Sequence, residues 1–153
     1  MADRHLIDVH VLLTDADDRL LLTRRAGGDV FAGRWHLPSG KLDKDEPITH
    51  AAAREAHEEV GVIIDPVDLR VVHVAHVAES GPEPRLGVFL HAVRWAGEPA
   101  NLEPEKCSAV QWFSLDEVSE LDVIEYPAVG IRAFLAGAFS SFSEHGWRLP
   151  VRV

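Results

Sequence analysis

The stretch GKLDKDEPITHAAAREAHEEVGV, residues 40–62, constrains the fold more than any other part of the chain. Pro47 suits the first turn of a helix, Asp45 or Glu46 can cap it, and Gly61 ends it near Val60. At 3.6 residues per turn, Glu55, Glu58 and Glu59 span roughly 100° of the helical cylinder and so share one face. Ala52, Ala53, Ala56 and Val60 line the neighbouring face. Side chains that small let a helix lie close to a sheet, which puts the acids at the edge of that contact and not far out in solvent. Three partly desolvated carboxylates so close together cannot all stay ionised unaided, because like charge and burial both favour the protonated form. A divalent cation relieves the conflict, and oxygen ligands without a cysteine or histidine set favour Mg²⁺ or Mn²⁺ over zinc. The competing reading is a solvated acidic face in which Arg54 and Glu58 form an i, i+4 pair.

Strand-like runs surround this helix. LIDVHVLLTD (6–15) and RLLLTRR (19–25) are β-rich and separated by ADD, which reads as a hairpin. Residues 26–46 hold most of the early glycines and one proline, Pro38, with little periodicity, so they read as a long loop of the kind that carries function. LRVVHVAHVAES (69–80) and RLGVFLHAVRW (85–95) form two further β-rich runs joined by GPEP, and AVQWFSL (109–115) reads as a last strand. YPAVGIRAFLAGAF (126–139) reads as a closing helix that Gly130 and Gly137 weaken. The pattern predicts an α/β (α+β) fold, a mixed central sheet with flanking helices, in one domain over residues 1–153.

Composition narrows the partners. The net charge of −10 repels nucleic-acid backbones and anionic membrane surfaces, so the expected partner is a small molecule and neither a polynucleotide nor a membrane. The single cysteine, Cys107, has no internal partner, and the first ten residues carry no apolar stretch long enough for a signal peptide. Both point to the cytoplasm.

Spacing favours the metal over the solvated face. Gly40, five residues, Glu46, seven residues, Arg54-Glu55, two residues, Glu58-Glu59, one residue and Gly61 resemble the signature box of the Nudix hydrolase family. Ala56 departs mildly, since the family usually has a bulkier aliphatic residue there. The order of strands, long loop and box helix is likewise similar to the family's α/β/α sandwich over nearly the whole chain. The resemblance implies that Glu55, Glu58 and Glu59 are metal ligands and that the carbonyl of Gly40 is a further one, glycine allowing a sharp turn and a close approach. It also implies that Arg54 orients the glutamates and that Glu46 holds the loop behind them. The implied reaction is attack of a metal-activated water on a diphosphate linkage, releasing a nucleoside monophosphate.

A polyphosphate substrate needs cations, and seven of the 15 lysines and arginines lie in the first 44 positions. Arg24, Arg34 and Lys41 are the expected phosphate contacts, whereas Arg25 and Lys44 read as solvated charges. Within GRWHLPSGK (33–41), Trp35 is open to base stacking or to core packing, and His36 to phosphate donation or to a structural place. His73, His76 and His91 sit in strand-like runs without metal-ligand spacing and read as structural. EPEKCSAVQWFSLDEV (103–118) resembles the turn through which relatives acting on nucleoside triphosphates bring a further glutamate to the metal. Glu105 is the expected residue, as ligand or general base, with Glu103 in reserve. The expected protein is a monomeric or homodimeric MutT-like pyrophosphohydrolase. The alternatives are a hydrolase of ADP-ribose or a nucleotide sugar, and a nucleotide-sensing Nudix-type domain without activity.

Overall fold

The computed structural model describes residues 1–149, so the last four positions of the expected 1–153 domain lie outside the described residues. Strand β1 (Leu6–Leu13) lies in a five-stranded mixed sheet with β4 (Ser39–Lys41), β5 (Leu69–Val77), β6 (Arg85–Ala92) and β8 (Ser141–His145), in the order β4-β1-β6-β5-β8. The pairs β1/β6 and β5/β8 are parallel; β1/β4 and β5/β6 are antiparallel. A second, antiparallel sheet is built from β3 (Trp35–His36), β2 (Leu20–Arg25) and β7 (Cys107–Phe113) in that order. The helices are α1 (Ile48–Val60), the short α2 (Leu115–Val118) and α3 (Glu125–Leu135).

The period of two along the strands sorts the core into two layers. Val9, Val11 and Leu13 of β1, with Val88, Leu90 and Ala92 of β6, pack against Ala51, Ala52, Ala56 and Val60 of α1. Leu12 of β1 and Phe89 of β6 face the other way, into a cluster with Val129 and Ile131 of α3. The two long helices thus cover opposite faces of one sheet, an α+β sandwich. Fully burying a residue such as Val60, which is 0% exposed, stabilises this layer by about 1.5–3 kcal/mol.

Several sequence expectations shift here. The ADD turn forms, with Asp15 accepting from the backbone of Asp17 and Arg19, but the strands on either side do not make a hairpin. Both edges of β1 are taken by β4 and β6, so after one bridge at Thr14–Leu20 the chain diverges into the second sheet. The long 26–46 loop contains β3 and β4, too short to show a period. β8 follows the run expected to be last, and its Ser, Glu and His content hid it. Helix α1 has Pro47 itself at the N-cap, not in the first turn behind Asp45 or Glu46, and so starts without a side-chain cap, and it ends at Gly61 in the left-handed conformation at φ 77°. Gly130 does not merely weaken α3: a side chain there would overlap the ring of Phe89, so glycine lets the helix lie directly on β6. No helix among the described residues is long and apolar enough to cross a membrane.

Candidate active site

Arg54 organises the acidic face of α1. Its Nε and Nη2 donate to the two oxygens of Glu46 at 2.7 and 3.0 Å, a planar fork onto one carboxylate. Nη1 reaches Glu55 at 2.8 Å and Glu58 at 3.3 Å, and Nη2 also reaches the carbonyl of Lys41 at 3.3 Å. Glu46 accepts in addition from the backbone N–H of Asp43 at 3.1 Å. One guanidinium therefore ties the end of β4 and the loop after it to the helix. The hydrogen bonds from Arg54 hold the Glu46 carboxyl below its ordinary range, and those to Glu46 raise the arginine's own pKa.

The three box glutamates differ in environment. The Glu58 side chain is half exposed, at 51%, and that of Glu55 only 13%. Glu59 turns toward β4, where one oxygen accepts from the backbone N–H of Ser39 at 3.2 Å. Burial, reinforced by the charges of Glu55 and Glu103, pushes its carboxyl up to about 8. Burial also raises Glu55 against the opposing pull of Arg54. Gly40 sits in β4 opposite Val9, and a Cβ built on it would run into the carboxyl of Glu55. Its φ is not in the left-handed region, so close approach and not a sharp turn requires glycine. Among the described residues no group of three His, Cys, Asp or Glu side chains is gathered around a metal position. Arg54 instead binds two of the carboxylates. Even so, an all-oxygen donor set with two acids under desolvation strain matches a hard divalent cation.

A small pocket adjoins Glu59, lined also by Thr23, Arg25, His36, Glu103, Glu105 and Lys106. Both candidate loop glutamates face it, but they are not equivalent. Glu105 is exposed, whereas the Glu103 side chain is 30% exposed, and its charge is felt at both Glu55 and Glu59. The Asn101 side chain accepts from the Glu103 backbone N–H at 3.2 Å, and the carbonyl of Glu103 accepts from Lys106 and Cys107, fixing the turn. Geometry thus favours the reserve residue. Cys107 is half-buried and donates its thiol to the Ala109 carbonyl.

A larger cleft of about 640 Å³ shares Arg25, His36 and Ser39 with this pocket. Arg34 and Lys41 line it too, Arg34 being held by Asp122 at 3.0 Å and by the Val123 carbonyl at 3.1 Å. Burial lowers the pKa of His36, whose ring lies by Thr23 and the Leu37 carbonyl. Arg24 and Trp35 line neither pocket. They face each other across β2 and β3, with the guanidinium 5.5 Å from the indole centroid, and Trp35 packs edge-on against Phe113 in the second core layer. Successive residues of a strand point to opposite faces, so it is Arg25, read from sequence as a solvated charge, that reaches both pockets. The alternation Thr23, Arg25 was the available signal. Asp8, His10, Arg85 and Tyr126, also in the cleft wall, carried no motif.

The 8-oxo-dGTP diphosphatase of Buchnera aphidicola subsp. Acyrthosiphon pisum is 34% identical over 70 residues, 45% of this chain and 53% of that protein. A MutT-like protein of Streptomyces ambofaciens is 29% identical over 141 residues, 92% of this chain and 84% of the relative. The chain spans about half or less of some curated relatives it matches, 23% in one instance and 53% in another. The crystal structure of a MutT NUDIX hydrolase from Burkholderia pseudomallei superposes with a TM-score of 0.71 at 26% identity, covering 86% of this chain and 98% of that one. The NUDIX domain family model matches residues 4–133, the span that holds the box helix, both sheets up to β7 and most of α3; the chain belongs to the NUDIX domain family.

Proposed function

We propose that this protein is a divalent-metal-dependent pyrophosphohydrolase that cleaves the diphosphate linkage of a nucleoside di- or triphosphate, or of a modified nucleotide, and releases a nucleoside monophosphate. The observation that carries this is the pair of desolvated acids, Glu55 against Gly40 and Glu59 in the small pocket, next to a cleft that Arg25, Arg34 and Lys41 line. Glu55, Glu58, Glu59 and the Gly40 carbonyl would hold Mg²⁺ or Mn²⁺. When bound, such an ion lowers the pKa of water and neutralises charge on the phosphoryl oxygens. Arg54 and Glu46 keep the carboxylates oriented, and Glu103, or Glu105 less directly, takes the proton of the attacking water or completes the ligand set. Arg25, Arg34, His36 and Lys41 hold the phosphates. The similarity to the 8-oxo-dGTP diphosphatase of Buchnera supports a nucleoside triphosphate as the substrate class. The same reading takes residues 1–153 as one domain acting in the cytoplasm as a monomer or homodimer, on small nucleotides and not on nucleic acid or membranes. The charge of −10 and the lone Cys107 support it.

Product analysis tests the proposal. The protein is incubated with Mg²⁺ and, separately, nucleoside triphosphates, ADP-ribose and a nucleotide sugar, and products are resolved by ion-exchange chromatography. A nucleoside monophosphate with pyrophosphate is expected from a triphosphate. A sugar phosphate as the main product favours the alternative substrate class, and binding without hydrolysis of any of them favours a sensor.

A further inference from the structure

One wall of the larger cleft is not used by the phosphate chemistry. Asp8 and His10 of β1, with Arg85 and Phe89 of β6, lie on the sheet face that α3 covers. Asp8 is 5% exposed; its two oxygens each accept from Nη1 of Arg85 at 2.8 Å, and one also accepts from the Tyr126 hydroxyl at 3.0 Å. The Nε of Arg85 donates to the Ser80 carbonyl at 3.0 Å, which leaves Nη2 with no acceptor among the described residues. His10, 4% exposed, stacks on Phe89 at 4.4 Å and meets the Tyr126 ring edge-on at 4.9 Å. Neither of its ring nitrogens has a partner among the described residues. Burial holds the imidazole neutral, pushing its pKa down to about 4. Buried polar groups without partners are rare and call for an explanation. A side chain at Gly87 would collide with Tyr126, so the sequence makes room for this arrangement.

We propose that this corner reads the base of the nucleotide, with Arg85 Nη2 as the donor and His10 as a second contact, and that it selects bases bearing a ring carbonyl over adenine. The inference rests on the nucleotide reading above. Asp8 neutralises Arg85, and Glu79 and Glu125 also line the cleft, so the corner is a poor phosphate site and suits a neutral planar group. Ile124, Pro127 and Val129 give that group apolar walls. The free Nη2 of Arg85 is a donor without acceptor, which matches the carbonyl oxygen of guanine or of a pyrimidine. Adenine sets an amino donor beside its acceptor and meets donor with donor.

The test is calorimetric binding of guanosine, uridine and adenosine 5′-monophosphates and of ribose 5-phosphate to the full chain in Mg²⁺. Because the phosphate is constant, differences report the base. Guanosine or uridine monophosphate should bind about tenfold more tightly than adenosine monophosphate, with ribose 5-phosphate weakest. Arg85→Lys keeps a cation opposite Asp8 but removes the free Nη2 donor, and should bring the preference within about threefold while adenosine monophosphate binds as before. If Arg85→Lys does not fold, His10→Phe decides, since it keeps the stacked ring and removes both nitrogens; it should weaken the preferred base by about threefold or more. Equal affinity for all three bases in the parent, or an unchanged preference in the folded variant, overturns the proposal. Hydrolysis is scored separately: turnover without base preference removes this inference and leaves the hydrolase reading, and base preference without turnover does the reverse.

Discussion

Replacing Glu59 by glutamine should stabilise the metal-free protein. The carboxyl is raised from its ordinary 4.5 to about 8, chiefly by burial. A carboxyl whose pKa is raised on folding contributes stability fully below the unfolded value of 4.5, and that contribution is lost as pH climbs through 8. At pH 7 the unfolded chain ionises this group freely and the folded one does not, a gap of about two and a half pH units at about 1.36 kcal/mol each. The upper bound is therefore about 3 kcal/mol, and about 2 kcal/mol is a realistic figure once glutamine's own burial is counted. The amide oxygen of glutamine can still accept from the Ser39 N–H that Glu59 engages at 3.2 Å. For a chain of this length each kcal/mol shifts Tm by about 2–4 °C. Calorimetric melting in excess chelator should show Glu59→Gln about 4–8 °C above the parent at pH 7, with the difference disappearing near pH 4. A mutant melting at or below the parent in chelator at pH 7 would show that burial of the Glu59 carboxyl does not cost the metal-free fold stability.

Arg54→Lys should lower turnover and metal affinity together by about 10–100-fold, since an ammonium cannot hold Glu46 through a planar fork while bonding Glu55 and Glu58; titrating Mg²⁺ in a turnover assay checks this. Glu103→Gln should cut kcat by about a hundredfold or more with little change in nucleotide affinity, and Glu105→Gln by less than threefold, measured at saturating Mg²⁺ across several pH values. A larger loss in Glu105→Gln would return the role to the residue first chosen from sequence.

The box helix was legible because two independent patterns coincide there. The Ala-rich stripe predicted the packed face, and fixed spacing predicted the acids that Arg54 gathers. The sandwich followed from the order of the β-rich runs. Pairing partners were harder to read. Nothing local tells β1 that β6 and β4 will take its edges, so a tight turn after it looked like a hairpin. The choice between Arg24 and Arg25 turned on one-residue register: alternation groups Arg25 with Thr23, but only the pairing of β2 shows that theirs is the face that meets the pockets. Glu103 and Glu105 lie two apart in a turn, where no periodicity ranks them. His10 was hidden because a histidine in an apolar strand reads as core; only the neighbouring strand and α3 show that its nitrogens have no partner.

The proposed function requires that the acidic face of α1 bind a divalent cation at which the nucleotide is cleaved. The most direct measurement is calorimetric titration of Mn²⁺ and Mg²⁺ into the chelator-treated protein, in parallel with pyrophosphate release from a nucleoside triphosphate, for the parent and Glu55→Gln. Saturable binding that restores turnover from zero is expected in the parent. In the variant, binding weakens by an order of magnitude or more and turnover falls with it. Full turnover in excess chelator, or unchanged metal affinity in Glu55→Gln, would contradict it.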